Sequence, residues 1–211
     1  DESVRGLDRF GEQAHDIISS PTTRKAFDLS LENPKEATRF GRHEFGQSLL
    51  LASRLIEAGV HFVTVRLRPA EFDFDTHTDN FSRLSNLLPP FDKGLASLID
   101  RLKERDLFSS TAIMVAGEFG RTPKVNNQGG RDHWARAMFA LMAGGDVRGG
   151  QAIGATDKLA GEPEGAGYSP EDIAASFFQN IGISPQKEFQ TNVGRPINLV
   201  RDGKPIKQLF L

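Results

Sequence analysis

Alternating helical and strand-like segments predict an α/β fold for this chain. Three observations carry that expectation. Val60–Leu67 is a β-rich apolar run, and Ile113–Ala116 is apolar without alternation, as in a strand covered on both faces. Between them Phe81, Leu84, Leu88, Phe91, Leu95, Leu98 and Leu102 recur three and four residues apart, which marks one buried helical stripe.

The elements follow in order. Residues 1–40 are polar and mixed, with Pro21 and Pro34 as breakers and a helix expected near Val4–Ser19. Phe45, Leu49, Ala52 and Ile56 fall at helical spacing, and Gly59 sits where a C′ glycine ends such a helix. After the 60–67 strand, Pro89-Pro90 predicts a short helix, a break, and a second helix from about Pro90 to Arg105. Ala137–Ala143 is a third apolar run, stopped by Gly144-Gly145. Tyr168–Ile181 reads as a helix with Ser169 as N-cap, Pro170 at N1 and Gly182 closing it. Asp202-Gly203 between short apolar runs predicts a hairpin in the tail, and Gly161–Gly167 a surface loop. Two domain segments are expected: a polar 1–40, remnant of a larger chain, and 41–211, the C-terminal part of the folded domain.

Composition narrows the function. The 211 residues suffice for a sizeable core, and a net charge of −2 with no long basic run argues against nucleic-acid binding. Zero cysteines exclude disulfides and thiolate metal sites. No apolar run approaches the roughly 18–20 residues that span a bilayer. The opening Asp1-Glu2-Ser3 lacks an initiator Met and predicts a fragment whose N-terminal part is missing.

Chemistry concentrates in two places. One is the apolar strand 111–116, running into Gly117-Glu118-Phe119-Gly120-Arg121-Thr122-Pro123 and ending at Gly130-Arg131-Asp132-His133-Trp134. The other is Asp73, Asp75, His77 and Asp79, just after the 60–67 run. Carboxylates and imidazoles gathered at strand ends are the raw material of a divalent-metal site. Residues 117–136 offer no helical crossover, so 137–143 is expected antiparallel to 111–116, with Glu118 and His133 at one sheet edge. If 60–67 runs parallel to 111–116, Asp75 and His77 reach that edge too. Asp75, His77, Glu118, Asp132 and His133 are therefore the candidate metal ligands. Arg121, a planar fork suited to phosphate or sulfate, is the candidate catalytic anion binder.

Several features read as ordinary. His15, His43 and His61 are taken as surface or core histidines, and His43-Glu44 does not extend to His-Glu-x-x-His. Asp73 and Asp79 are read as loop acids. Gly144, Gly145, Gly149 and Gly150 lack the Gly-Lys-Ser/Thr of a phosphate loop, and Asn80-Phe81-Ser82 is a chance sequon.

These same motifs, with Gly149-Gly150-Gln151, Gly154-Ala155-Thr156-Asp157, Gly194-Arg195-Pro196 and Gly203-Lys204-Pro205-Ile206, resemble the bacterial family called domain of unknown function 1501. That family is assigned to the alkaline phosphatase and sulfatase superfamily. The resemblance runs from about Phe40 to Leu211. It implies a three-layer αβα sandwich with a mostly parallel sheet and an antiparallel strand, one or two divalent metals, and an exported or periplasmic location. Asp75-x-His77 is similar in placement to the superfamily's Asp-x-x-x-His pair, Glu118 stands where its Asp-His pair follows a buried strand, and His133 resembles its last metal histidine.

The expected function is a metal-dependent hydrolase of phosphate or sulfate esters acting on a small anionic substrate. Zn, Mn or Mg fits the oxygen and nitrogen donors, with Fe as a further possibility. No Ser, Thr or Asp nucleophile is recognisable, which leaves attack by a metal-activated water. The alternative is a non-catalytic binding module that keeps the fold.

Overall fold

The computed structural model describes residues 10–12, 14–16, 18–66, 73–165 and 167–210. The described residues of Asp1–Asp75 and Ser82–Glu104 form one compact unit; those of Thr76–Phe81 and Arg105–Leu211 form a second.

The first unit is helical. Residues 10–12, 14–16 and 18–19 are helical, and the start of the expected Val4–Ser19 helix lies outside the described residues. Helices α1 (Pro21–Phe27) and α2 (Pro34–Phe40) each begin with proline at N1 behind a polar cap. The caps are Ser20, whose side chain accepts from the Thr23 amide, and Asn33, which accepts from that of Lys35. His43 likewise caps α3 (Glu44–Glu57), its Nδ1 accepting from the Gly46 amide at 3.1 Å. A Schellman motif ends α3: the Gly59 amide bonds to the Ile56 carbonyl and that of Val60 to Leu55, both at 2.9 Å, with Gly59 at φ +87°.

Helix α4 (Asn80–Glu104) corrects the expected break, because it runs through Pro89 and Pro90. Those prolines remove the amide donors that would reach the carbonyls of Ser85 and Asn86. Packing after them secures the helix. Phe91 stacks on Phe45 with ring centroids 5.4 Å apart, Gly94 is buried against Leu49 and Phe45, and Leu98 and Leu102 are buried with Phe40, Leu49 and Leu50. Of the predicted stripe, Leu98 and Leu102 are buried, Leu84, Phe91 and Leu95 half-buried, and Phe81 and Leu88 exposed. Arg101, with its side chain 3 % exposed, bonds Glu32 at 3.0 Å and Glu57 at 2.8 Å, and lies 3.4 Å from Glu36.

The second unit holds three separate antiparallel strand pairs. β1 (Ile113–Ala116) pairs with β4 (Ala140–Ala143) from Ile113 opposite Ala143 to Ala116 opposite Ala140, the antiparallel arrangement expected from the helix-free connection. β2 (Gly120–Arg121) pairs with β3 (His133–Trp134), and β5 (Glu188–Gln190) with β6 (Pro196–Asn198). Helix α5 (Pro170–Asn180) carries the predicted Ser169 cap, extended to a capping box by Asp172, and closes at Gly182 in a second Schellman motif.

The expected αβα sandwich with a mostly parallel sheet is therefore wrong: among the described residues every strand pair is two-stranded and antiparallel. Residues 60–66 are not in a strand, and Leu67 lies outside the described residues. Without a ladder partner there, α4 is not the crossover of a parallel pair. β1 is not covered on both faces either, since Met114 and Ala116 are exposed. The tail hairpin also falls elsewhere. The turn between β5 and β6 spans 191–195, where Gly194 has φ +75°, whereas Gly203 packs so closely on α5 that a Cβ would lie 2.3 Å from the Glu171 carbonyl oxygen. No described helix is long and apolar enough to cross a membrane.

Candidate metal centre

The segment 73–77, outside any helix or strand, delivers the first candidates. Thr76 is 1 % exposed, and its hydroxyl donates to Asn80 Oδ1 at 2.6 Å at the start of α4. The Asp75 amide donates to Asp73 Oδ1 at 2.9 Å, and Asp73 lies 3.4 Å from Arg83, so Asp73 serves its own turn.

The loop 122–132 clasps residues 76–80. The Arg131 amide donates to the Thr76 carbonyl at 2.9 Å, Asp79 to Gln128 at 3.2 Å and Asn80 to Gly129 at 3.0 Å, around a Thr78–Gly129 bridge. Gly130 permits this approach: a Cβ there would sit 1.8 Å from the His77 carbonyl oxygen. Arg131 holds the loop's far side by donating to the carbonyls of Thr122 at 2.7 Å and Pro123 at 2.6 Å.

This clasp brings two histidines together. His77 Nε2 and His133 Nε2 are 3.1 Å apart, and the His77 Nδ1–H donates to Asp132 Oδ1 at 2.7 Å. An ionised carboxylate only accepts, so the proton on this contact belongs to Nδ1 and the neutral ring keeps its lone pair at Nε2. His77 and, secondarily, the Asn126 amide hold the Asp132 carboxyl below its ordinary value of 3.8. Asp75, His77 and His133 each offer a ligand atom, all within 4.8 Å of one another. Asp75 and His133 are exposed and His77 is half-buried, which leaves the cluster open to solvent.

The spacing fits one ion. Imidazole nitrogens each about 2.0–2.1 Å from a metal lie about 2.9 Å apart at a right angle and about 3.3 Å apart at the tetrahedral angle, which brackets the observed 3.1 Å. A carboxylate accepting from the distal nitrogen of a ligating histidine is the usual outer support of such a ligand. Asp132 occupies that supporting position and stands outside the group able to share an ion.

Glu118 also stands outside that group. Its Oε1 is 3.7 Å from Arg121 Nη2, and its side chain is 66 % exposed. Arg121 faces His133 directly across the β2–β3 pair, so both side chains leave the same face. The ring of Phe119 lies between them, 4.4 Å from the His133 ring and 5.6 Å from the Arg121 guanidinium carbon. On the other face, the Trp134 Nε1–H donates to the Gly161 carbonyl at 2.6 Å.

Sequence reasoning missed Phe119, Asn126 and Gly130 as parts of this centre. The signal for Asn126 was weak: an asparagine in a glycine-rich loop suits an Asx-turn, in which its side chain bonds the backbone two residues on, here the Gln128 amide. Phe119 and Gly130 carried none beyond their place between candidates.

The family model described as "Protein of unknown function (DUF1501)" matches residues 1–210. The chain belongs to that family. No curated protein and no solved structure matches it.

Proposed function

We propose that Asp75, His77 and His133 hold a divalent ion and that the chain is a metal-dependent hydrolase of phosphate or sulfate esters. The carrying observation is the 3.1 Å separation of His77 Nε2 and His133 Nε2, with the His77 Nδ1–H held by Asp132. Kinship with the alkaline phosphatase and sulfatase superfamily is part of the proposal, supported by the Asp75-x-His77 and Gly130–Trp134 motifs.

Three protein ligands leave coordination positions for water and substrate, the pattern of catalytic rather than structural sites. A divalent ion held by these three residues would supply Lewis-acid chemistry to the hydrolysis. The chain's own residues supply the rest. Asp132 keeps His77 in the tautomer whose Nε2 is free of a proton. Arg121, on the face of His133, binds the equatorial oxygens of the anionic ester through its paired N–H groups. Glu118 neutralises Arg121 before substrate arrives, and the anion displaces it. Two imidazoles beside one carboxylate favour Zn, Mn or Fe over Mg, which takes oxygen donors.

The test is elemental analysis of protein purified without chelators, followed by turnover of aryl phosphates and aryl sulfates with Zn, Mn or Mg supplied. Stoichiometric metal that disappears in His133→Ala, together with metal-dependent turnover, is expected. Absence of metal from the wild type, or full metal content in His133→Ala, overturns the site. Bound metal without turnover of any ester assigns the chain to the non-catalytic binding modules.

A further inference from the structure

Asn126 lies in the loop that clasps His77, and every hydrogen-bonding position of its amide is taken. Its Oδ1 accepts from the backbone amides of Gln128 and Gly130, both at 2.9 Å. Its Nδ2 donates to the His77 carbonyl at 3.0 Å and to the Asp132 carboxylate, 3.2 and 3.3 Å from the two oxygens. Two donors and two acceptor sites are the whole capacity of an amide. Backbone N–H groups facing Oδ1 also fix which way the amide points.

We infer that Asn126 is a positioning residue of the metal centre, orienting the Asp132 carboxylate against His77 Nδ1. This rests on the proposed metal binding at His77 and His133. The carboxyl torsion of aspartate is broad and roughly two-fold, and the Asp132 side chain is half exposed, so its own loop segment does not fix the carboxylate. The Asn126 donor holds it at both oxygens, the Oδ1 that accepts from His77 included. Because the same NH2 group also binds the His77 carbonyl, one amide sets both the backbone of His77 and the partner of its ring.

Asn126→Asp separates this role from loop capping. A carboxylate oxygen at position 126 still accepts from the Gln128 and Gly130 amides. The donor, however, becomes an acceptor facing the Asp132 carboxylate and the His77 carbonyl. Field alone would act the other way, since an added negative charge near a cation site strengthens cation binding. The expected result is about 10–100-fold weaker binding of Zn2+ and Co2+, the range for lost outer support, with the metal-free melting temperature nearly kept. Unchanged or tighter binding overturns the inference.

If Asn126→Asp alone does not fold, the charge-conserving exchange of Asn126→Asp with Asp132→Asn decides. It restores a donor at 132 facing an acceptor at 126, and it should fold and bind both metals more tightly than Asp132→Asn alone. Failure to do so overturns the inference. Metal-free protein gives a second readout: by NMR the His77 Nδ1–H should be hydrogen-bonded in the wild type and displaced in Asn126→Asp. An identical resonance in both overturns the positioning role. A wild type that takes up neither Zn2+ nor Co2+ defeats the functional proposal alone, and the His77 resonance still decides on Asn126.

Discussion

A Cβ added to Gly130 would lie 1.8 Å from the His77 carbonyl oxygen and 1.9 Å from its carbonyl carbon. Both are backbone atoms, so no side-chain rotation relieves the clash, and the loop must withdraw from 76–80. Gly130→Ala should therefore cost about 1–3 kcal/mol, as overpacking does, and weaken Zn2+ binding with it. Gly117→Ala is the control: it is near the same loop, but its nearest neighbour would be 3.8 Å away. Urea unfolding and Zn2+ titration of both variants check this, and an unaffected Gly130→Ala would refute the close approach.

The Arg101 cluster makes stability depend on pH. Burial pushes the Glu32 carboxyl up, but hydrogen bonds from Arg54, the Asn33 amide and Arg101 outweigh it, leaving the group below its ordinary 4.5. A lowered carboxyl stabilises the fold above its unfolded value and loses that contribution as pH falls through the folded one. For Arg101, burial opposes the charge, yet Glu57 and Glu32 hold it above the ordinary guanidinium value, so its charge persists across accessible pH. Arg101→Met removes the cation that Glu32, Glu36 and Glu57 share, while Glu32 keeps Arg54 and Glu36 keeps Arg39, and should cost about 1–3 kcal/mol near neutrality. That cost should shrink as pH falls below the ordinary glutamate value of 4.5 and through the lowered folded value, where Glu32 loses its charge in the wild type as well. Denaturant unfolding across pH tests this; a cost independent of pH would contradict it.

Metal binding should be selective. Zn2+ or Mn2+ at about a hundred times its dissociation constant should stabilise the fold by about 2.7 kcal/mol, and a chelator should reverse the gain. Mg2+ at the same concentration should shift the melting temperature little, because two of the three candidate donors are imidazoles. Equal protection by Mg2+ in wild type and in His77→Ala would place any ion elsewhere.

Local signals in the sequence reached further than the global ones. Gly59, Gly182 and Ser169 announce their helix ends because capping depends on a few adjacent backbone groups. The antiparallel return at 140–143 is legible from the helix-free stretch before it. The run at 60–66 is not, because apolar β-branched residues report a preference for extended backbone and not whether a ladder partner exists. The αβα sandwich came from resemblance and required that partner. In the site, His77 and His133 stood out as acid-histidine neighbours. The division of labour among the acids did not: Asp132 supports, Asp75 can ligate and Glu118 pairs with Arg121 because of one loop's path.

Arg121 carries the last prediction. It faces His133 across β2–β3, and its 21 % side-chain exposure leaves the guanidinium reachable from solvent beside Phe119 and Glu118. If it binds the ester's anion and takes no part in proton transfer, Arg121→Ala should lower kcat/KM on aryl phosphates or sulfates by about 10²–10³, the scale of one lost charge-assisted contact to developing charge. Arg121→Lys keeps the charge without the bidentate fork and should recover only part of it. Metal content should stay at the wild-type level in both, since Arg121 is no ligand. Glu118→Gln should leave metal content unchanged as well and lower KM, because the anion no longer displaces a carboxylate. Steady-state kinetics with metal analysis on each variant measures all of this. Unaltered turnover in Arg121→Ala would remove Arg121 from the site, and loss of metal in Glu118→Gln would make Glu118 a ligand after all.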